Sequence, residues 1–117
     1  MISLIEKISA VNDLILQGRS LEAFDEFYHD HVILQENDKP ECVGKDLNRK
    51  HKEAFLASIA EFKCAKPLKV AVGEKTTMVE WEFNYIHKEL GHQKYTQVAV
   101  QEWQDGKIIK EKFYYGV

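Results

Sequence analysis

The spacing of apolar residues changes once along this chain, and that change constrains the fold more than any other feature. Through most of residues 3–62 the apolar side chains recur every three or four positions, as in helices that bury one face. From Leu68 onward they recur every second position, as in strands with two different faces. A helical half followed by a strand-rich half predicts an α+β fold. In it, three N-terminal helices pack on a curved antiparallel sheet that forms a cone.

Three helices are predicted in the first half. The first runs from about Ser3 to Gln17, and the second from Ser20 to near His29, with a short strand at Val32 to Leu34 after it. The third helix begins at Asp46 and carries an apolar stripe as far as Phe62. Pro67 then marks its end, because proline disfavours a continuing helix.

The strand-rich half contains one segment with an unbroken alternation. Val79, Trp81 and Tyr85 fall on one side of this strand, while Glu80 and Glu82 fall on the other. The pair Asp105-Gly106 is a strong signal for a tight hairpin between the last two strands. Alternation alone leaves open which face of the sheet is covered by the helices.

Composition excludes several classes of function. The 117 residues fit one domain, 1–117, and a formal net charge of −3 argues against nucleic acid as a partner. No apolar run approaches the roughly 20 residues that span a bilayer, and the first residues show no signal-peptide pattern, so a cytoplasmic protein is expected. Cys42 and Cys64 fit no metal spacing and are expected to be thiols, although their spacing leaves a disulfide open. No phosphate loop or dinucleotide fingerprint occurs, so no cofactor is expected.

Several short phrases in a fixed order resemble one superfamily. They are QGRSLEAF at residues 17–24, FYHDHV at residues 27–32, and the glycine-led start of the third helix at residues 44–46. In this order they resemble the nuclear-transport-factor-2-like superfamily, and within it the SnoaL-like group. The resemblance implies a cone fold whose interior takes a small, largely apolar organic molecule, and a homodimer formed through the outer face of the sheet. It also implies a choice between cofactor-free acid/base enzymes and non-catalytic modules.

The ketosteroid isomerases of this superfamily suggest three site residues. Their general base falls on Glu36, at the end of the first strand. Their tyrosine donor falls near Asn12 and their protonated acid near Gln101, and both positions hold amides here. The resemblance therefore implies a base and two hydrogen-bond donors to a developing oxyanion, without the full steroid-isomerase set.

Four further residues are candidates from their positions in the pattern. His51 lies on the stripe of the third helix and is predicted to pair with Glu36, as its partner or as the acid; the alternative is a histidine of the core or rim. Tyr85, Trp103 and Tyr114 are predicted to shape the pocket, with a packed core or a dimer interface as the alternative.

Three adjacent polar residues raise the question of a metal site. His29, Asp30 and His31 occupy successive positions, and their side chains would point in different directions. They also lack the one-turn spacing of helical zinc ligands, so no metal is expected.

The sequence thus predicts binding of a small apolar molecule in the cone, with isomerase, cyclase or dehydratase chemistry as a further step. The alternative is a non-catalytic dimerisation or partner-binding module whose cavity is filled by its own side chains. The two hypotheses differ at Glu36. The first places it at the wall of a cavity, and the second places it in water over a solid core.

Overall fold

The structure is a computed structural model that describes residues 2–116. Within that range it contains three helices and six strands: α1 (Leu4–Leu16), α2 (Ser20–Phe27), β1 (Tyr28–Glu36), β2 (Cys42–Val43), α3 (Lys45–Ala57), β3 (Ile59–Val72), β4 (Thr76–His87), β5 (Gly91–Gln104) and β6 (Lys107–Tyr115). Among the described residues, no helix combines the length and the apolar character needed to cross a membrane.

All six strands join one sheet in the order β2-β1-β6-β5-β4-β3. The α+β class is confirmed, with the helices packed on a curved sheet. The sheet is mixed rather than wholly antiparallel, because β1 runs parallel to β6 while the other neighbours are antiparallel. These two strands come from opposite ends of the chain, and alternation within each strand says nothing about their relative direction.

The second helix and the first strand meet earlier than predicted. Helix α2 ends at Phe27, and β1 already begins at Tyr28, so the prediction of a helix to His29 was wrong by two residues. Tyr28 is buried because it lies on the same face of β1 as the buried Val32 and Leu34. Tyr28 lies within the range that the sequence had assigned to the second helix.

The third helix is shorter than its apolar pattern suggested. Helix α3 ends at Ala57, and Ile59 and Phe62 belong to β3. Pro67 lies inside β3 instead of ending a helix, and the pairing with β4 shifts register immediately after it. Because β3 is one of the two edge strands of the sheet, a residue without an N–H group is tolerated there.

The buried core lies between the helices and one face of the sheet. Ile8 and Val11 of α1 and Phe24 of α2 pack in one cluster with Val79 and Trp81 of β4. This contact identifies the covered face, which alternation alone had left open. The hairpin at Asp105-Gly106 is confirmed, with positive φ angles of 55° and 77° that favour these residue types.

Candidate functional site

A pocket of about 880 Å³ opens between α3 and the covered face of the sheet. Its wall is largely apolar and aromatic, and includes Trp81 and Phe83 of β4 and Phe113 of β6. The rings of Trp81 and Phe83 are stacked, with centroids 5.4 Å apart and an interplanar angle of 14°. A flat or aliphatic molecule would therefore meet a continuous aromatic surface.

Helix α3 is anchored at its beginning, and apolar side chains of its last turn line the pocket. The buried Asn48 donates hydrogen bonds to the carbonyl oxygens of Cys42 (2.9 Å) and Gly44 (2.8 Å) and holds the beginning of the helix. Further along, Phe55 and Leu56 line the pocket while remaining 45% and 39% exposed. The Phe55 ring meets the Tyr85 ring edge-on, with centroids 5.7 Å apart, so this part of the helix also contacts β4.

A chain of buried polar side chains lies at the inner wall of the pocket. Tyr28 donates its hydroxyl proton to Oε1 of Glu111 (2.5 Å), and Gln101 donates from Nε2 to Oε2 of the same carboxyl group (2.8 Å). Thr77 donates to the Gln101 amide oxygen (2.6 Å) and accepts from the Trp103 indole nitrogen (2.9 Å). All five are buried, and Tyr28 and Glu111 line the pocket. The network fixes a carboxyl group against an apolar cavity.

A bulge in β6 brings Glu111 to this wall. Trp103 pairs with Ile108 and Glu102 pairs with Lys110, so Ile109 is an extra residue in the ladder. The extra residue reverses which side chains of β6 face the helices. Ile108 before the bulge and Glu111 after it therefore both face inward and are buried. Sequence reasoning missed Glu111 for this reason. A signal was available, since strict alternation from Ile108 would have buried Lys110, which is unfavourable without a partner.

The environment of Tyr28 keeps its hydroxyl protonated. Burial raises the pKa of Tyr28 well above its ordinary value, and the adjacent Glu111 carboxylate raises it further. Tyr28 is thus a hydrogen-bond donor over the whole physiological pH range.

The outer end of the pocket carries a group of tyrosines near Glu36. The hydroxyl groups of Tyr85 and Tyr95 lie 3.0 Å apart. Burial raises the pKa of Tyr95, and the hydrogen bond with Tyr85 adds to the effect. Burial also raises the pKa of Tyr115, with the Glu36 carboxylate as the next cause. Glu36 lines the pocket at its rim and is exposed to solvent. It therefore combines the wall position of the first hypothesis with the exposure of the second.

His51 also lies at the pocket, but its polar contact differs from the prediction. Its Nδ1 atom is 3.5 Å from the Cys42 sulfur, and the side chain is exposed. Glu36 and His51 thus both line the same pocket without a hydrogen bond joining them in the described part of the chain. Cys42 and Cys64 are both free thiols, so no disulfide is formed.

Only one of the five predicted ligand-binding residues lines the pocket. Tyr85 lines the pocket. Asn12, Gln101 and Trp103 are buried but do not line it. Tyr114 is 46% exposed and pairs with Val98 on the outer face of the sheet. The structure therefore brings Glu36, His51 and Tyr85 to one cavity and places the other four outside its wall.

A local hydrogen bond joins the two histidines that flank Asp30 in β1. Nδ1 of His29 accepts a hydrogen bond from the backbone N–H of His31 (3.0 Å). Between residues 2 and 116, no group of three or more His, Cys, Asp or Glu side chains is placed to hold a metal ion.

Comparison with protein families agrees with this geometry. The model of the SnoaL-like domain matches residues 8–111, which is most of the chain. This chain belongs to the SnoaL-like family. The resemblance inferred from the order of the sequence motifs is thereby confirmed.

Solved structures of the same architecture support the SnoaL-like assignment of the fold. A candidate SnoaL-like polyketide cyclase from Mesorhizobium loti has 19% identity and a TM-score of 0.88, covering 97% of this chain and 100% of its own. An epoxide hydrolase of the LEH-like type from M. tuberculosis has 15% identity and a TM-score of 0.75, covering 94% and 80%. A protein with a ketosteroid isomerase-like fold from Catenulispora acidiphila, in complex with trimethylamine, has 10% identity and a TM-score of 0.77, covering 96% of this chain and 86% of its own.

These neighbours establish the fold of the SnoaL-like chain and not its reaction, because every identity is below 20%. Among curated protein sequences, none is detectably similar to this chain.

Proposed function

We propose that this SnoaL-like protein binds a small, largely apolar organic molecule in the pocket beneath α3. The observation that carries the proposal is the pocket itself, which has about 880 Å³ of open space and an aromatic wall with a few fixed polar groups. Ligand sites of small molecules commonly have this size and composition. Open space of this volume also favours binding over the alternative of a non-catalytic module with a filled cavity.

The residues predicted from sequence take different parts in this proposal. Tyr85 forms part of the wall, and Glu36 and His51 stand at the rim. Gln101 and Trp103 act indirectly, through the hydrogen-bonded chain that ends at Glu111. Asn12 and Tyr114 are left out of it, because neither lines the pocket.

Filling the pocket tests the proposal directly. Ala65 of β3 lines the pocket, whereas Ala71 of the same strand is exposed and does not line it. We expect Ala65→Trp to weaken binding of apolar small molecules by about tenfold or more, since an indole ring would occupy ligand space. Native mass spectrometry of the purified protein, and thermal shift with a panel of apolar compounds, would measure this.

The matched variant Ala71→Trp adds the same ring outside the pocket and is expected to leave binding unchanged. Equal binding by the wild-type protein and Ala65→Trp would contradict the proposal.

A second function, cofactor-free proton transfer, is favoured by the Tyr28–Glu111 pair. Glu111 offers a carboxyl group that lines the pocket, and Tyr28 beside it donates a hydrogen bond. A base next to a hydrogen-bond donor in an apolar cavity is suited to isomerisation, cyclisation or dehydration of a carbonyl compound. Glu36, with His51 as partner or acid, is the base that the sequence predicts, and Glu111 is the one that burial favours.

The two carboxylates can be separated by matched substitutions. If Glu111 is the base, Glu111→Gln should slow exchange of the acidic proton of an enolisable ketone by about 10²- to 10⁴-fold, and Glu36→Gln should change it little. Proton exchange into heavy water, followed by NMR, measures both rates. The opposite ranking would assign the role to Glu36, and no exchange above the buffer rate across a panel of ketones would contradict proton transfer.

We also propose a homodimer formed through the outer face of the sheet. Met78 pairs with Val100 and Val98 pairs with Tyr114 on that face, and Met78 and Tyr114 are 45% and 46% exposed. Sedimentation of the wild-type protein is expected to give a dimer, and Tyr114→Glu to shift it toward monomer, because a charge would lie in an apolar contact. A monomeric wild-type protein at micromolar concentration would contradict this.

A further inference from the structure

The side chain of Lys52 enters the pocket and ends over three aromatic rings. Its ammonium nitrogen lies 5.5 Å from the ring centroid of Phe24 and 5.6 Å from those of Tyr28 and Phe113. These rings come from α2, β1 and β6, so three separate elements surround the cation. Lys52 is half-buried and lines the pocket.

The other cations on the same side of α3 have acceptors, whereas Lys52 has none among the residues that the structure describes. Lys45 donates to the backbone carbonyl of Asp25 (2.8 Å), and Arg49 forms ion pairs with Asp25 (2.8 Å) and Glu53 (3.0 Å). Within residues 2–116, the Lys52 ammonium has no hydrogen-bond or ion-pair partner. Glu111 on the same wall is engaged by Tyr28 and Gln101 instead.

An ammonium group in this position favours a particular kind of ligand. It carries three N–H donors, and an aromatic face attracts its charge without offering an oxygen acceptor. A ligand that displaces water from the pocket must either satisfy those donors or leave a desolvated charge unpaired, which is costly. An anionic oxygen on the ligand satisfies them with a strong, charge-assisted hydrogen bond.

We propose that the ligand is an apolar molecule bearing one anionic oxygen group of the carboxylate type, and that Lys52 binds this group. The inference rests on the proposed function, because it assumes that the pocket takes an apolar molecule at all. The aromatic wall holds the body of the ligand, and Lys52 selects its head group.

Two fluorescent probes with the same aromatic body test this selection. The probes are 8-anilino-1-naphthalenesulfonate, which carries an anionic head group, and N-phenyl-1-naphthylamine, which is neutral. Lys52→Met removes the charge and keeps an apolar stem of similar length. We expect this substitution to weaken binding of the anionic probe by about 10- to 100-fold, because a charge-assisted hydrogen bond is lost. The affinity for the neutral probe should change by less than about threefold.

Two further variants control the measurement. Lys50→Met removes an exposed charge from the same helix and does not touch the pocket, so both affinities should stay unchanged. Lys52→Arg retains the charge and should retain binding of the anionic probe, which keeps the test informative should Lys52→Met fold poorly.

The outcomes separate this inference from the function on which it rests. If Lys52→Met lowers the affinity for both probes equally, or for neither, the role of Lys52 is overturned while the pocket remains an apolar binding site. Failure of the wild-type protein to bind the neutral probe would overturn the proposed function, and the ligand class with it.

Discussion

Replacing Phe24 by alanine is expected to lower the free energy of unfolding by about 3–5 kcal/mol. Phe24 is 1% exposed and belongs to the buried cluster that joins the helices to the sheet. Its ring centroid lies 4.6 Å from that of Tyr28. The substitution would leave a cavity between α2 and β1, because the backbone around it belongs to regular elements that cannot close in fully. Urea unfolding followed by circular dichroism measures the change.

A matched truncation at the surface controls this experiment. Leu90 is 70% exposed at the turn between β4 and β5, and Leu90→Ala should stay within about 0.5 kcal/mol of the wild-type protein. A loss below about 1 kcal/mol for Phe24→Ala would show that α2 is not packed on the sheet as described.

Replacing Tyr28 by phenylalanine is expected to cost about 1–3 kcal/mol of stability at neutral pH. The ring is kept, but Oε1 of the buried Glu111 loses the hydroxyl donor that lies 2.5 Å away. A buried carboxyl oxygen left without its donor accounts for the cost. Thermal and urea unfolding at pH 7 would measure it, and a cost near zero would show that water replaces the hydroxyl.

The pH dependence of this variant provides a second test. Burial and Glu111 raise the pKa of Tyr28 in the folded protein, while the unfolded chain ionises near its ordinary value of about 10. The stabilisation of the protonated hydroxyl is therefore complete below about pH 10 and is lost as the pH rises further. The stability gap between the wild-type protein and Tyr28→Phe should narrow above that pH by up to about 1.4 kcal/mol per pH unit.

A constant stability gap between the wild-type protein and Tyr28→Phe on either side of pH 10 would contradict this account of the buried Tyr28 hydroxyl.

Glu36 and Glu111 illustrate two ways in which a carboxylate can reach a pocket. Glu36 comes last in β1 and lies at the rim, where its exposure follows from the end of the strand. Glu111 lies in the middle of β6 and is 4% exposed, with two neutral donors in place of a counterion. The buried carboxylate is held in one geometry by its neighbours, which is the condition that proton transfer requires.

The sequence by itself determined the elements that have a regular local pattern. The alternation around Trp81 fixed which side chains of β4 share a face, and Asp105-Gly106 fixed the hairpin after β5. The order of short motifs also indicated the SnoaL-like family, and with it the helices and the sheet. The strand faces, the hairpin and the order of the elements depend on residues close together in the chain, so a local sequence pattern is enough to predict them.

Only the tertiary structure decided which polar groups meet inside the pocket. Tyr28 and Glu111 are 83 positions apart and meet because β1 pairs with β6 and a bulge at Ile109 inverts the alternation. Lys52 lies over its three rings because α3, held at its beginning by Asn48, packs beside α2, β1 and β6. A periodic pattern describes the two faces of one element, whereas these contacts depend on strand register and on the angle between elements. Those quantities are set by the packing of the whole chain.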